Sequence, residues 1–231
     1  MKKHLFVASL FGLVLWGTAS LANLIQYKLA GGGSFSAWSV SDLQNISIST
    51  TTSTNDTATV TSTSNSFVRG SATCATSQFY FELIVGDSHG SGFYGPGIAN
   101  ASYTVSQNIP GYDSGSNSIA FDSSGNSHIA GGSVGSGTTY ANGNILGIAV
   151  DTATSKIWLW ESSSGKWNGS VSNNPAVGTE TGGISISSVN AGPYLPVFGS
   201  TSDATTGNTS IINTGATTFT GTVPSGYSAC H

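Results

Sequence analysis

The chain has 231 residues, 38% of them hydrophobic and 10% aromatic, which excludes a disordered composition and leaves enough apolar material for one sizeable core. Only 7% of the residues are charged, against about 25% in an average soluble domain, and Ser, Thr, Asn and 31 Gly stand in their place. Six basic residues against ten acidic ones give no phosphate-neutralising surface, so neither nucleic acid nor anionic lipid is an expected partner.

Read in chain order, the first segment is an address label. Met1-Lys2-Lys3 is cationic, His4 to Trp16 is almost wholly apolar, and Gly17 to Ala22 is rich in small residues. This three-part pattern predicts a signal peptide over residues 1–22, with Ser20 and Ala22 at the −3 and −1 positions of the cut. The apolar run is about 13 residues, short of the roughly 20 needed to span a bilayer, and no later segment is long and apolar enough. The expected location is therefore the periplasm, the cell surface or the medium. Residues 23–36, around Gly31-Gly32-Gly33, read as a lead-in. Residues 37–231 read as one domain, with no change of composition and no repeat.

Within that domain short strands are predicted at roughly ten-residue spacing. They cover Ile46–Ser49, Thr57–Thr63, Ser66–Arg69, Gln78–Val85, Asn117–Phe121, Ser127–Ala130, Asn144–Val150, Lys156–Glu161, Gly183–Ser188, Tyr194–Phe198 and Thr217–Thr222. Gln78–Val85 (QFYFELIV) and Asn144–Val150 (NILGIAV) are apolar at successive positions, which predicts burial on both faces. Asp122-Ser123-Ser124-Gly125-Asn126 reads as a hairpin turn, and it lacks the full calcium-loop pattern. Outside the leader no stretch of ten residues has helical periodicity. The expected fold class is an all-β, two-sheet antiparallel sandwich. Two cysteines remain beyond the leader, Cys74 and Cys230. An even count in an exported chain permits a disulfide, and the chain ends of a sandwich often lie side by side. Two separate buried thiols are the alternative.

Six segments in this order resemble the SPRY family. They are FYFELIV at Phe79–Val85, PGIANAS at Pro96–Ser102, NSIAFDSSGN at Asn117–Asn126, NGNILGIAVDTATSKIWLW at Asn142–Trp160, GPYLPVFG at Gly192–Gly199 and NTGATTFTGTVPSGYSA at Asn213–Ala229. The resemblance implies a concanavalin-like jelly-roll sandwich whose loops bind partners, in a version similar to those of bacteria and their phages. The chain departs from the family pattern at Asn144, and in the long Trp-bearing loop Ser162–Gly169. Loop content sets partner choice in this family, so those departures change the expected partner.

Candidate chemistry is sparse. Glycoside cleavage needs two facing carboxylates, and no two acids here are two or four residues apart as one strand face requires. Beyond the leader only His89, His128 and His231 are available as bases, and no G-x-S-x-G elbow sits on a strand-to-helix turn. No catalytic residue, metal or cofactor is assigned. The expected contacts are loop residues, mostly aromatics flanked by Gly: Phe93, Tyr94, Tyr103, Tyr112, Asp113, Tyr140 and Trp167. Trp158 and Trp160 share one strand face and are expected in or near the core. The predicted function is an exported, non-catalytic module that binds a protein or a surface glycan at the sandwich rim. A structural surface or appendage protein is the alternative, followed by a polysaccharide hydrolase or lyase.

Overall fold

The computed structural model describes residues 37–50, 56–62, 64–86, 94–104, 109–200, 207 and 209–231; the expected leader and lead-in, His89 and Phe93 lie outside the described residues. Among the described residues there are sixteen strands and no helix. This follows from a composition rich in Thr, Ser and Gly, with few of the long unbranched side chains that favour helices.

The strands form two sheets. One runs β1 (Trp38–Gln44), β4 (Ser66–Gly70), β14 (Tyr194–Ser200), β6 (Tyr94–Asn100), β7 (Ser118–Asp122), β8 (Asn126–Ile129), β9 (Gly132–Ser136). The other runs β12 (Lys166–Trp167), β11 (Lys156–Glu161), β10 (Ile145–Asp151), β5 (Gln78–Val85), β15 (Thr209–Asn213), β3 (Asp56–Val60), β2 (Ile46–Thr50). Strand β13 (Ile184–Ser185) adds to β11, and β16 (Ser228–Ala229) runs parallel to β5. We call these the seven-stranded and the nine-stranded sheet.

Alternation builds the core between them. Phe79, Phe81, Leu83 and Val85 of β5 point inward with Ile148 and Val150 of β10, and they meet Val68, Ile98, Ile119, Phe121 and Phe198 of the facing sheet. Trp38 on β1 packs against Phe198 at 6.3 Å between ring centroids and donates its indole N–H to the Ser210 carbonyl of the opposite sheet at 3.3 Å. The outer faces are also covered. Tyr103, Ile109 and Tyr112, from the connection between β6 and β7, lie with Phe67, Ala99 and Val197 of the seven-stranded sheet. Trp167, Phe219, Val223 and Tyr227 lie over Tyr80, Ala149 and Trp158 of the nine-stranded sheet. The Tyr80 ring rests on Gly147, where an added Cβ would sit 2.3 Å from the Tyr80 hydroxyl.

The structure corrects several expected elements. Thr217–Thr222 is not a strand. It is irregular cover, and the N–H groups of Thr220 and Gly221 go to the Glu82 carboxylate at 2.9 and 2.7 Å rather than to a neighbouring strand. Strands β1, β6, β9 and β15 were not expected. Strand β15 is a central strand between β5 and β3, although TSIIN offers only two apolar residues. Strand β6 contains Pro96, tolerated beside a break in the β6–β7 register between Tyr94 and Gly97.

Cys74 and Cys230 are bonded, with 4.5 Å between their Cα atoms and a sequence separation of 156. The bond ties the lead into β5 to the end of the chain, beside β16. Replacing both cysteines with serine is expected to lower stability by about 5 kcal/mol, because the unfolded chain regains the entropy of a very long loop. Glu82, only 2% exposed, also accepts the Tyr80 hydroxyl at 2.8 Å. Glu82→Ala strips partners from two backbone N–H groups and is expected to cost about 3 kcal/mol. Denaturant titration checks both values.

Candidate functional site

The expected contact residues do not form one surface. Tyr103 is fully buried, edge-on to Phe67 at 6.1 Å between ring centroids, with its hydroxyl pKa pushed up by burial and by the charge of Asp113. Tyr140 belongs to the central core and donates its hydroxyl to the Phe121 carbonyl at 3.0 Å. Asp113 is also fully buried and accepts the Asn117 N–H at 2.6 Å and the Ser118 hydroxyl. These three are corrections: residues that read as exposed loops are the cover, core and braces of the sandwich. Trp167 is half-buried, 6.3 Å from the Tyr80 ring on the outer face of the nine-stranded sheet. Tyr94 begins β6 and pairs with Asp122. Tyr112 is half-buried against the outer face of the other sheet.

Tyr112 ends a short polar chain. Its hydroxyl lies 3.1 Å from Nδ1 of His128, and Nε2 of His128 lies 2.9 Å from Oδ2 of Asp122. Asp122 Oδ1 also accepts the Asn126 N–H at 2.8 Å, closing the β7–β8 hairpin. Burial alone pushes the Asp122 carboxyl up; the hydrogen bonds from His128 and Asn126 outweigh it and hold the group below its ordinary value.

A concave site lies elsewhere, at one end of the sandwich. It is a groove of about 500 Å³ between the β10–β11 turn and the loop leading into β14. Thr152, Ser155, Ser187, Ser188 and Asn190 supply its polar groups, and Ile186, Val189 and Tyr194 its apolar wall. No charged side chain lines it.

Local chemistry builds both walls. Asp151 Oδ1 accepts the N–H groups of Ala153 and Thr154 at 2.8 and 3.1 Å, which shapes the turn, and Ser155 closes it in the left-handed region at φ 54°. The Ser155 carbonyl accepts the Ile186 N–H at 2.9 Å, stitching the loop to the turn. The far side of the loop is held by asparagines. Asn190 Nδ2 donates to the Gly115 carbonyl at 2.7 Å and to Asn117 Oδ1 at 2.9 Å. Asn100 Nδ2 donates to the Asn190 carbonyl at 3.0 Å. Asp113 thus acts on the groove indirectly, by fixing the turn that Asn190 grips. Tyr194 opens β14, and its carbonyl accepts the Cys74 N–H at 2.8 Å, beside the disulfide. The groove is therefore fixed by hydrogen bonds on both sides. The sequence places Tyr194 on a strand, as observed, but the expected strand Gly183–Ser188 is a strand only at Ile184–Ser185, and its Ser187 and Ser188 belong to the SSVNAG loop that lines the groove.

Six of the ten carboxylates are committed to the backbone. Glu82, Asp113, Asp122, Asp151, Glu161 and Glu180 each accept at least one backbone N–H. Among the described residues no three His, Cys, Asp or Glu side chains are grouped to hold a metal ion, and no helix is long and apolar enough to cross a membrane.

The solved structure of the SPRY domain of human HERC1 superposes on this chain with a TM-score of 0.55, at 12% sequence identity, covering 77% of this chain and 97% of that one. A second human SPRY domain gives a TM-score of 0.49 at 17% identity, over 74% of this chain and 96% of that one. No protein-family model and no curated protein matches the chain. The fold is that of a SPRY domain, a two-sheet antiparallel sandwich.

The depressed Asp122 value has a consequence with a definite sign. The unfolded state binds a proton that the folded state resists, so the stabilisation is present above the ordinary carboxylate pKa of about 4 and is lost as pH falls below it. Thermal melts of the wild type are expected to drop steeply below about pH 4. Asp122→Asn should flatten that limb while lowering the melting temperature at neutral pH.

Proposed function

We propose that this chain is an exported, non-catalytic binding module that holds an uncharged segment of a partner, a protein or a surface glycan, in the groove between the β10–β11 turn and the β14 lead-in. The observation that carries this reading is the groove itself: it is of ligand-binding size, it lacks charge, and it is fastened on both sides before any ligand arrives. A preformed site spends little of its interaction energy on ordering. Hydroxyls of Ser and Thr both donate and accept, which suits peptide carbonyls and sugar hydroxyls alike.

The SPRY fold supports binding as the mode of action. The commitment of six carboxylates to backbone N–H groups argues against a hydrolase that uses them, because an acid or base must be free to exchange its proton with a substrate. The leader and the Cys74–Cys230 bond support export to an oxidising compartment.

Ser187 and Ser188 are exposed and can be enlarged without touching the core. On peptide and glycan arrays, Ser187→Trp is expected to weaken the strongest hit at least tenfold with an unchanged melting temperature. Retention equal to wild type on every hit would remove the groove from the site. N-terminal sequencing of exported protein is expected to begin at Asn23.

A further inference from the structure

Among the described residues, the cover over the outer face of the nine-stranded sheet extends across one half of it. The chain's own C-terminal segment covers Tyr80, Glu82, Ala149 and Trp158. Beyond that cover, strand register brings two rows of side chains to the same face. One row crosses three strands as Ser47, Thr59 and Thr209. The other crosses five as Ser49, Thr57, Ile211, Ile84 and Ile145. Their inward-pointing neighbours Ala58, Val60, Ser210, Ile212, Leu83, Val85 and Leu146 are all buried, whereas Ser47 and Ser49 are exposed and the other six are half-buried.

We propose that this face binds an uncharged polysaccharide lying flat across β2, β3, β15, β5 and β10. Three observations select that occupant. First, none of the eight side chains is ionisable, so these two rows offer no ion-pairing group to a charged partner. Second, the pairing of all five strands is unbroken, while β1–β4, β6–β7 and β8–β9 on the other sheet each carry an irregularity. Side chains therefore repeat about every 4.8 Å across the strands and about every 6.8 Å along them. β-Branched Thr and Ile are stiff at χ1, so the array is ordered before contact. Hydroxyls lie at one end and a bar of Ile211, Ile84 and Ile145 at the other, matching a sugar's hydroxyl edges and C–H faces. Third, the face spans only on the order of 300 Å², well below the roughly 800 Å² per partner that a stable protein interface uses. A repeating polymer compensates for a small contact through multiple attachment, which a second copy of this chain does not.

The test is co-sedimentation of the full mature chain with microcrystalline cellulose, chitin and insoluble β-1,3-glucan. Wild-type protein is expected to be retained by at least one of the three. Thr57→Lys and Ser49→Lys, two solvent-facing changes on different strands, are each expected to weaken that retention at least tenfold. Val134→Lys, an equal charge on the exposed strand β9, should leave it unchanged. Thermal melts identify any variant that fails to fold, and the other variant then decides. Three outcomes would overturn the proposal: no retention of wild type on any of the three solids, retention indifferent to both lysines, or an ultracentrifugation dimer that both lysines dissolve.

Discussion

Strand β5 is buried on both of its faces, and most of the architecture follows from that. Its inward side chains are satisfied by the opposite sheet. Its outward ones, Tyr80 and Glu82, need a second cover, and the protein supplies it from its own C-terminal end. Tyr80 meets Phe219 edge-on at 4.9 Å between ring centroids. Burying the Glu82 carboxylate is costly unless it is fully hydrogen-bonded, and the cover provides that through Thr220 and Gly221. The chain end is then returned to the start of β5 by β16 and the disulfide.

The same rule explains how a chain with so few charges organises its loops. A carboxylate can accept several N–H groups at once, and here it does so at turns that lack helices or long ladders to satisfy them. Asp151 and Glu161 shape the turns that follow β10 and β11, Asp122 closes the hairpin after β7, and Asp113 fixes the turn before it. Asparagine takes over where two loops must be joined, as Asn100 and Asn190 do beside the groove. Acids used in this way are poor candidates for proton transfer, which ties the non-catalytic reading to the mechanics of the fold.

Legibility in the sequence followed burial. Strands β5, β10, β11 and β14 announce themselves because residues sealed on both sides are written as continuous apolar runs. Strands β9 (GSVGS) and β15 (TSIIN) do not, since Ser, Thr and Gly carry the same letters in a ladder as in a loop. Thr217–Thr222 erred in the opposite direction. Its threonines read as strand formers, but Phe219, with Val223 just beyond, lies on a sheet from outside it. Tyr103, Tyr140 and Asp113 were misplaced for a related reason. A glycine-flanked aromatic looks free until one sees that the sandwich needs plugs for its outer faces as well as its core. The groove was invisible at the sequence level because it is made of side chains from separate loops, joined by hydrogen bonds that no local pattern encodes.

The two outer faces differ in how completely they are sealed, and that difference separates structure from function. Wherever a large side chain such as Tyr80, Trp158 or Phe67 points outward, a covering segment lies over it. Where the outward residues are Ser, Thr and Ile, the described residues provide no such covering segment. Hydroxyls tolerate water, so the exposed half needs no cover for stability. Its three isoleucines, brought side by side by register, are half-buried rather than sealed. A half-buried aliphatic bar beside a hydroxyl array matches a partner that presents both chemistries, which is the basis of the proposal for this face.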